Sequence, residues 1–165
     1  MLEDFQYWSN QQASQRPACR VTPDSAEDIS TALKILEANG CQFAVKSGGH
    51  ASFAGASNIG SNGVAFDLRN LDELVISDDA TQTSVGPGLV WSSVYMELDA
   101  KNLSVIGGRS GAIGVGGLTL GGGISFFSGR YGWACDNVNN YQVRYMEAPS
   151  HITRVSDKPC IGCLC

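Results

Sequence analysis

Between Val105 and Trp133 the chain carries eleven of its 20 glycines, set among Ile, Val, Leu and Phe. Glycine loses the most backbone entropy on folding and packs no side chain, so such density needs a compensating use. A flexible linker pairs glycine with serine and few large apolar residues. Here the interleaved residues are of the kind a core buries. The pattern points to backbone lying close against something flat or anionic. Glycine turns converge N–H groups into anion-binding concavities, so a phosphate-bearing ligand is the first expectation.

At 165 residues the chain is about one domain. An apolar fraction of 43% supports a real core. A net charge of −5 argues against nucleic acid as the main partner. No apolar run approaches a membrane span. Met1-Leu2-Glu3-Asp4-Phe5-Gln6 shows neither a basic nor an apolar signal region, and the compartment stays open. The six cysteines are scattered and then bunched at the end, unlike a small disulfide scaffold.

Residues 1–16 are polar apart from anchors such as Phe5, Tyr7 and Trp8, and read as an arm packing on the domain. Ala18–Thr22 is a short strand ended by Pro23. Ser25 caps a helix, with Asp28 at the capping-box position and Ile29, Leu33 and Leu36 at helical spacing up to Asn39-Gly40. Phe43–Val45 is the next strand, so a βαβ unit with two parallel, adjacent strands is expected. Cys19 and Cys41 then start neighbouring strands, as buried thiols or, in a secreted chain, a disulfide. Val64–Leu68 is a further strand. Leu74–Ile76 and Gln82–Val85 form a hairpin around Asp78-Asp79. Asp67-Leu68-Arg69 with Asp72-Glu73 reads as a solvated turn. Trp91, Val94, Tyr95 and Leu98 form an apolar helical stripe belonging to the core. A last strand is expected over Tyr141–Met146.

Two familiar phosphate cradles fail. Gly40 to Ser47 lacks the second glycine of a P-loop, since Val45 stands there. Gly114-Val115-Gly116 begins a dinucleotide fingerprint that Thr119 breaks. What remains is a strand running into Lys46-Ser47-Gly48-Gly49-His50. Glycines at a strand end let successive N–H groups converge on a diphosphate and hold the histidine beside whatever it carries. Lys46 adds charge there or points to solvent.

Three motifs now stand in order. They are Phe43 through Ser47-Gly48-Gly49-His50; Ser84-Val85-Gly86-Pro87-Gly88 with Trp91; and Gly107-Gly108-Arg109 through Gly114-Val115-Gly116-Gly117-Leu118-Thr119-Leu120-Gly121-Gly122-Gly123, extended by Tyr131-Gly132 and Cys135-Asp136-Asn137. Together they resemble the FAD-linked oxidoreductases with a PCMH-type FAD-binding domain, within them the berberine-bridge-enzyme-like group of fungal type. The resemblance implies an α+β fold of two subdomains with FAD between them. It further implies that His50 bonds to the 8α methyl of the flavin, an imidazole nitrogen being a nucleophile. Ser47, Gly48 and Gly49 then supply N–H groups to the pyrophosphate. Lys46, Pro87, Gly88, Ser110, Ile113, Gly114, Gly116, Gly117, Gly121, Tyr131 and Asn137 complete the expected cofactor set.

Departures from the family sharpen the expectation. Relatives with a second flavin link carry cysteine where this chain has Ser110, so one attachment is expected. Ile113 matches the position that governs oxygen access, between the valine of oxidases and the leucine of oxygen-poor relatives. Oxidase and dehydrogenase chemistry both stay open. The resemblance leaves the chain near Arg144. The expected division is an arm over 1–16, a partial FAD-binding domain over 17–147 with its second subdomain incomplete, and a divergent, disordered tail over 148–165. The substrate domain and the catalytic base are then absent, and the strand near Tyr141 has an unpaired edge. His151, Cys160, Cys163 and Cys165 offer a weak zinc spacing, and no metal site is expected. The expected partners are FAD and, in full-length relatives, a small organic substrate that gives hydride to the flavin. The alternative is a non-catalytic FAD-binding remnant.

Overall fold

A computed structural model describes residues 6–144, 151–154 and 163–164. In chain order the elements are α1 (Asn10–Ala13), β1 (Cys19–Val21), α2 (Ala26–Ala38), β2 (Gln42–Lys46), β3 (Gly63–Asp67), β4 (Leu74–Ile76), β5 (Gln82–Val85), α3 (Trp91–Asp99), α4 (Val115–Leu120), α5 (Ser128–Tyr131), a 3-10 turn (Ala134–Asn137), β6 (Asn140–Val143), β7 (His151–Arg154) and β8 (Cys163–Leu164).

The first layer is a three-stranded parallel sheet in the order β1-β3-β2. β1 and β2 are parallel, as expected, but not neighbours, because β3 inserts between them. The hydrophobic pattern accounts for this. β3 reads Gly-Val-Ala-Phe-Asp and is buried along most of its length, with Ala65 and Phe66 closed off from solvent. A strand buried on both faces belongs in the middle. Strands two places apart lie about 9–10 Å from one another, too far for a disulfide. Cys19 and Cys41 are accordingly free, and both are exposed rather than buried.

α2 covers this sheet. Ser25 caps it, its Oγ accepting from the Asp28 N–H at 3.1 Å. The reciprocal capping-box bond reaches one residue further back, where Asp28 Oδ2 accepts from the Asp24 N–H. Leu33 and Leu36 pack on Phe66 and Leu68. Burying each leucine stabilises the layer by about 1.5–3 kcal/mol.

The second core forms around Trp91, which has 0% exposure. Val85, Val94, Leu98, Val105, Val115 and Val138 close on it. The expected hairpin is present as antiparallel β4 and β5. Gly107 and Gly108 lie flat on the Trp91 indole, where any side chain would collide with the ring. Tyr95 stacks on Trp91 and donates its hydroxyl to the Gly108 carbonyl at 2.6 Å. Burial pushes the Tyr95 phenol up to about 12. The folded state therefore holds a proton that the unfolded chain releases near 10. The stability this contributes is complete below pH 10 and is lost as pH rises through 12. Melting temperatures of wild type and Tyr95→Phe are expected to converge over that window, since the phenylalanine has no proton to lose.

Two parts of the segment expected to be disordered are strands. β7 pairs antiparallel with β6, so the edge near Tyr141 is paired within this chain. β8 runs parallel to β5. The end of the strand expected at Met146 lies outside the described residues. Among the described residues no helix is long and apolar enough to cross a membrane.

Candidate functional site

The three motifs meet at one hydroxyl. β2 ends at Lys46 and delivers Ser47 to the carboxyl edge of the sheet, where open α/β sheets place their ligands. Ser47 Oγ donates to the Pro87 carbonyl at 2.6 Å and accepts from the Gly116 N–H at 3.3 Å. Residues 40 and 69 positions away are thereby tied to one side chain. The backbones at Gly48 and Gly114 are in direct apposition. A β-carbon on Gly114 would fall on the Gly48 nitrogen and within 2.6 Å of Ser47 Oγ. One on Gly48 would lie 2.6 Å from the Gly114 Cα. These two positions therefore require glycine because two loops must touch.

Gly49 turns the chain through φ +69°, in the left-handed region. Its carbonyl accepts from the Trp8 N–H at 3.1 Å. His50 follows, half-buried, with its imidazole stacked on Trp8 at 4.8 Å between centroids and 20° between planes. The arm runs on along the same loop. Gln12, wholly buried, donates to Ser57 Oγ at 3.0 Å and accepts from the Ser57 N–H at 3.2 Å. Asn58, also wholly buried, donates to the Gln12 carbonyl at 2.8 Å. Gln15 accepts from the Gly55 N–H at 3.0 Å.

Lys46 is buried and not a solvated lysine, and its ammonium donates to the Ser47 carbonyl at 3.5 Å. Strand register sets it beside Asp67, and their side chains form an ion pair at 3.4 Å, 8% and 0% exposed. Burial holds the Lys46 ammonium below its usual range, and Asp67 offsets part of that. Arg69 closes the other side of Asp67, with its Nε at 2.9 Å and a terminal nitrogen at 2.7 Å. Asp67 is thus the buried centre of an ionic lock between Lys46 and the half-exposed Arg69, and not part of the solvated turn its charge suggests. The lock ties the carboxyl ends of β2 and β3 together, and the His50 loop departs from the end of β2.

The glycine-rich segment builds the facing wall. Gly114 precedes α4, whose turns bring Gly117 to an exposed position with no atom within 4 Å of where a side chain would begin. An open groove of about 570 Å³ runs along it, lined by Ser110, Ile113, Gly117, Leu118, Gly121 and Trp133 among others. Four expected cofactor residues, Ser110, Ile113, Gly117 and Gly121, therefore share one surface. Pro87, Gly114 and Gly116 stand at its root through Ser47, and Gly88 abuts the Leu68 carbonyl. Tyr131 and Asn137 act on the backbone here. The Asn137 amide donates to the Tyr131 and Trp133 carbonyls at 3.0 and 2.7 Å, setting the turn that presents Trp133 to the groove. Trp133, Arg109 and the Trp8 stack were not among the expected site residues. Their signal is an aromatic or cation beside a glycine motif, which sequence alone shares with many core positions. Among the described residues no group of three or more His, Cys, Asp or Glu is arranged to hold a metal ion. The side chains of His151, Cys160, Cys163 and Cys165 lie outside what the structure describes.

Residues 17–148 match the family described as FAD binding domain. The chain belongs to that family. The chain is similar to the FAD-dependent monooxygenase tpcD of Cochliobolus heterostrophus, 44% identical over 137 residues that cover 83% of this chain and 26% of the relative. The FAD-dependent monooxygenase yanF of Aspergillus niger is 46% identical over 126 residues, covering 76% and 22%. The chain thus spans about a quarter of the length of these curated relatives. Among solved structures, 6-hydroxy-D-nicotine oxidase of Arthrobacter nicotinovorans superposes with a TM-score of 0.82 at 23% identity, over 93% of this chain and 33% of that one. Glucooligosaccharide oxidase of Acremonium strictum, whose FAD is 6-S-cysteinyl and 8α-N1-histidyl, gives 0.77 at 24%, over 90% and 31%. The fold is the PCMH-type FAD-binding fold. The site fits the cofactor: a cradle of touching glycine backbones stands beside an open apolar groove of the size small-molecule sites have.

Proposed function

We propose that this FAD-binding domain holds its flavin covalently through His50 alone and serves a flavin-dependent oxidoreductase acting on a small organic substrate. The convergence of Ser47, Pro87 and Gly116 carries this reading, because it sets the His50 loop and the glycine groove against each other. In this reading the amides at Ser47, Gly48 and Gly49 face the pyrophosphate, and Gly116, Gly117 and Gly121 let the backbone approach the cofactor closely along the groove. Bound flavin supplies acceptance of a hydride from substrate. His50 would hold the flavin through a bond from an imidazole nitrogen to the 8α carbon, a two-electron oxidation in which each partner would lose one hydrogen and dioxygen would accept both as peroxide. Ser110 lines the groove but has no thiol to form a second link. The described groove residues include neither carboxylate nor imidazole, so proton removal from substrate falls to groups elsewhere in a complete enzyme.

Acid precipitation of the flavin-loaded chain is expected to leave the yellow colour in the pellet, and His50→Ala to release it. Ser110→Cys is expected to yield a flavopeptide linked at both positions. Complete release of flavin from precipitated wild type contradicts covalent attachment.

A further inference from the structure

The loop that carries His50 runs from residue 47 to residue 62, between β2 and β3. A loop of this length does not hold a ring in place by itself. Its two glycines before His50 contribute no side-chain packing. Resting on the reading of His50 as the flavin attachment point, we infer that Trp8 is the positioning residue of that histidine, with the arm at 7–15 as its support. Trp8 is 65% exposed, so its indole is not there to fill a core. The indole lies nearly parallel to the imidazole at stacking distance, while the Trp8 backbone N–H donates to the carbonyl of Gly49 immediately before. One residue thus fixes the turn and the plane of the ring that leaves it. The arm beneath is rigid, since Gln12 and Asn58 bond it to the far side of the same loop with both side chains wholly buried. The stack covers one face of the imidazole and leaves the ring nitrogens at the edge free to be presented in a set direction. Attachment of a ring nitrogen to carbon needs such alignment, and small misplacements at this stage slow it by orders of magnitude.

The test uses the 165-residue chain with labelled histidine, His151→Gln assigning the two ring signals. In wild type and Trp8→Phe, side-chain relaxation is expected to show a restricted His50 ring; in Trp8→Ala, a mobile one. On adding FAD, acid-stable flavin is expected to accumulate about tenfold or more slowly in Trp8→Ala, with Trp8→Phe restoring most of the rate. A general folding defect would not be rescued at an exposed position by another aromatic. A His50 ring as restricted in Trp8→Ala as in wild type overturns the inference, and so does acid-stable flavin formed at the wild-type rate. Should wild type itself form none, the covalent reading fails, and ring mobility alone decides whether Trp8 positions His50.

Discussion

Asp67→Asn is expected to destabilise the fold by about 3 kcal/mol, the lower end of what removing one partner of a buried ion pair costs. The lower end applies because Arg69 is 41% exposed and water screens its share. The loss comes from Lys46, whose ammonium, on a side chain only 8% exposed, would lose the charge of Asp67. Two results check this origin. Lys46→Met combined with Asp67→Asn is expected to recover most of the stability, since an apolar side chain of similar length removes the uncompensated charge. The deficit of the single variant is also expected to shrink as pH rises toward the ordinary lysine value of 10.5. The sign follows from linkage: a lysine whose folded pKa is lowered makes the unfolded state the stronger proton binder, so stability rises with pH. Urea titrations of wild type and the two variants measure both effects. A double variant no more stable than Asp67→Asn contradicts the charge argument.

Gly114→Val is expected to separate the two halves of the cradle. Its β-carbon would meet the Gly48 backbone and Ser47 Oγ, and backbone cannot move aside as a flexible side-chain tip does. Overpacking at such a contact costs about 1–3 kcal/mol or more. The larger effect falls on the ligand. Pushing the loops apart breaks the Ser47 bonds to Pro87 and Gly116 and moves every amide assigned to the pyrophosphate. Retention of FAD on desalting is expected to be lost even at temperatures where the variant stays folded. Gly129→Ala serves as the comparison, because a side chain there meets nothing within 4 Å. Equal flavin retention by Gly114→Val and wild type contradicts the placement of the cofactor.

The motifs were legible in the sequence because glycine at a strand end and glycine beside apolar residues each have few physical uses. Their contact was not, since no local pattern says that Gly48 and Gly114 touch. The parallel βαβ unit was legible from its lengths and turns. The insertion of β3 between its strands depended on which strand buries both faces, and five residues of Gly-Val-Ala-Phe-Asp carry that signal faintly. Asp67 and Lys46 misled for a related reason. Charged residues near a turn are usually solvated, and only the register Lys46↔Asp67 makes them partners. α4 went unseen because Val-Gly-Gly-Leu-Thr-Leu has poor helix propensity. Packing of Val115 and Leu118 against the Trp91 core imposes the helix instead. β7 and β8 are equally a matter of partners: both are short, and pairing with β6 and β5 defines them.

Hydrogen exchange of the 165-residue chain with and without FAD tests the central claim most directly. FAD is expected to slow exchange at amides in 47–50 and in 114–121 together, with little change along α2. Protection confined to one of these segments, or FAD binding that leaves both unchanged, would contradict a cofactor held at the junction of the His50 loop and the glycine-rich wall.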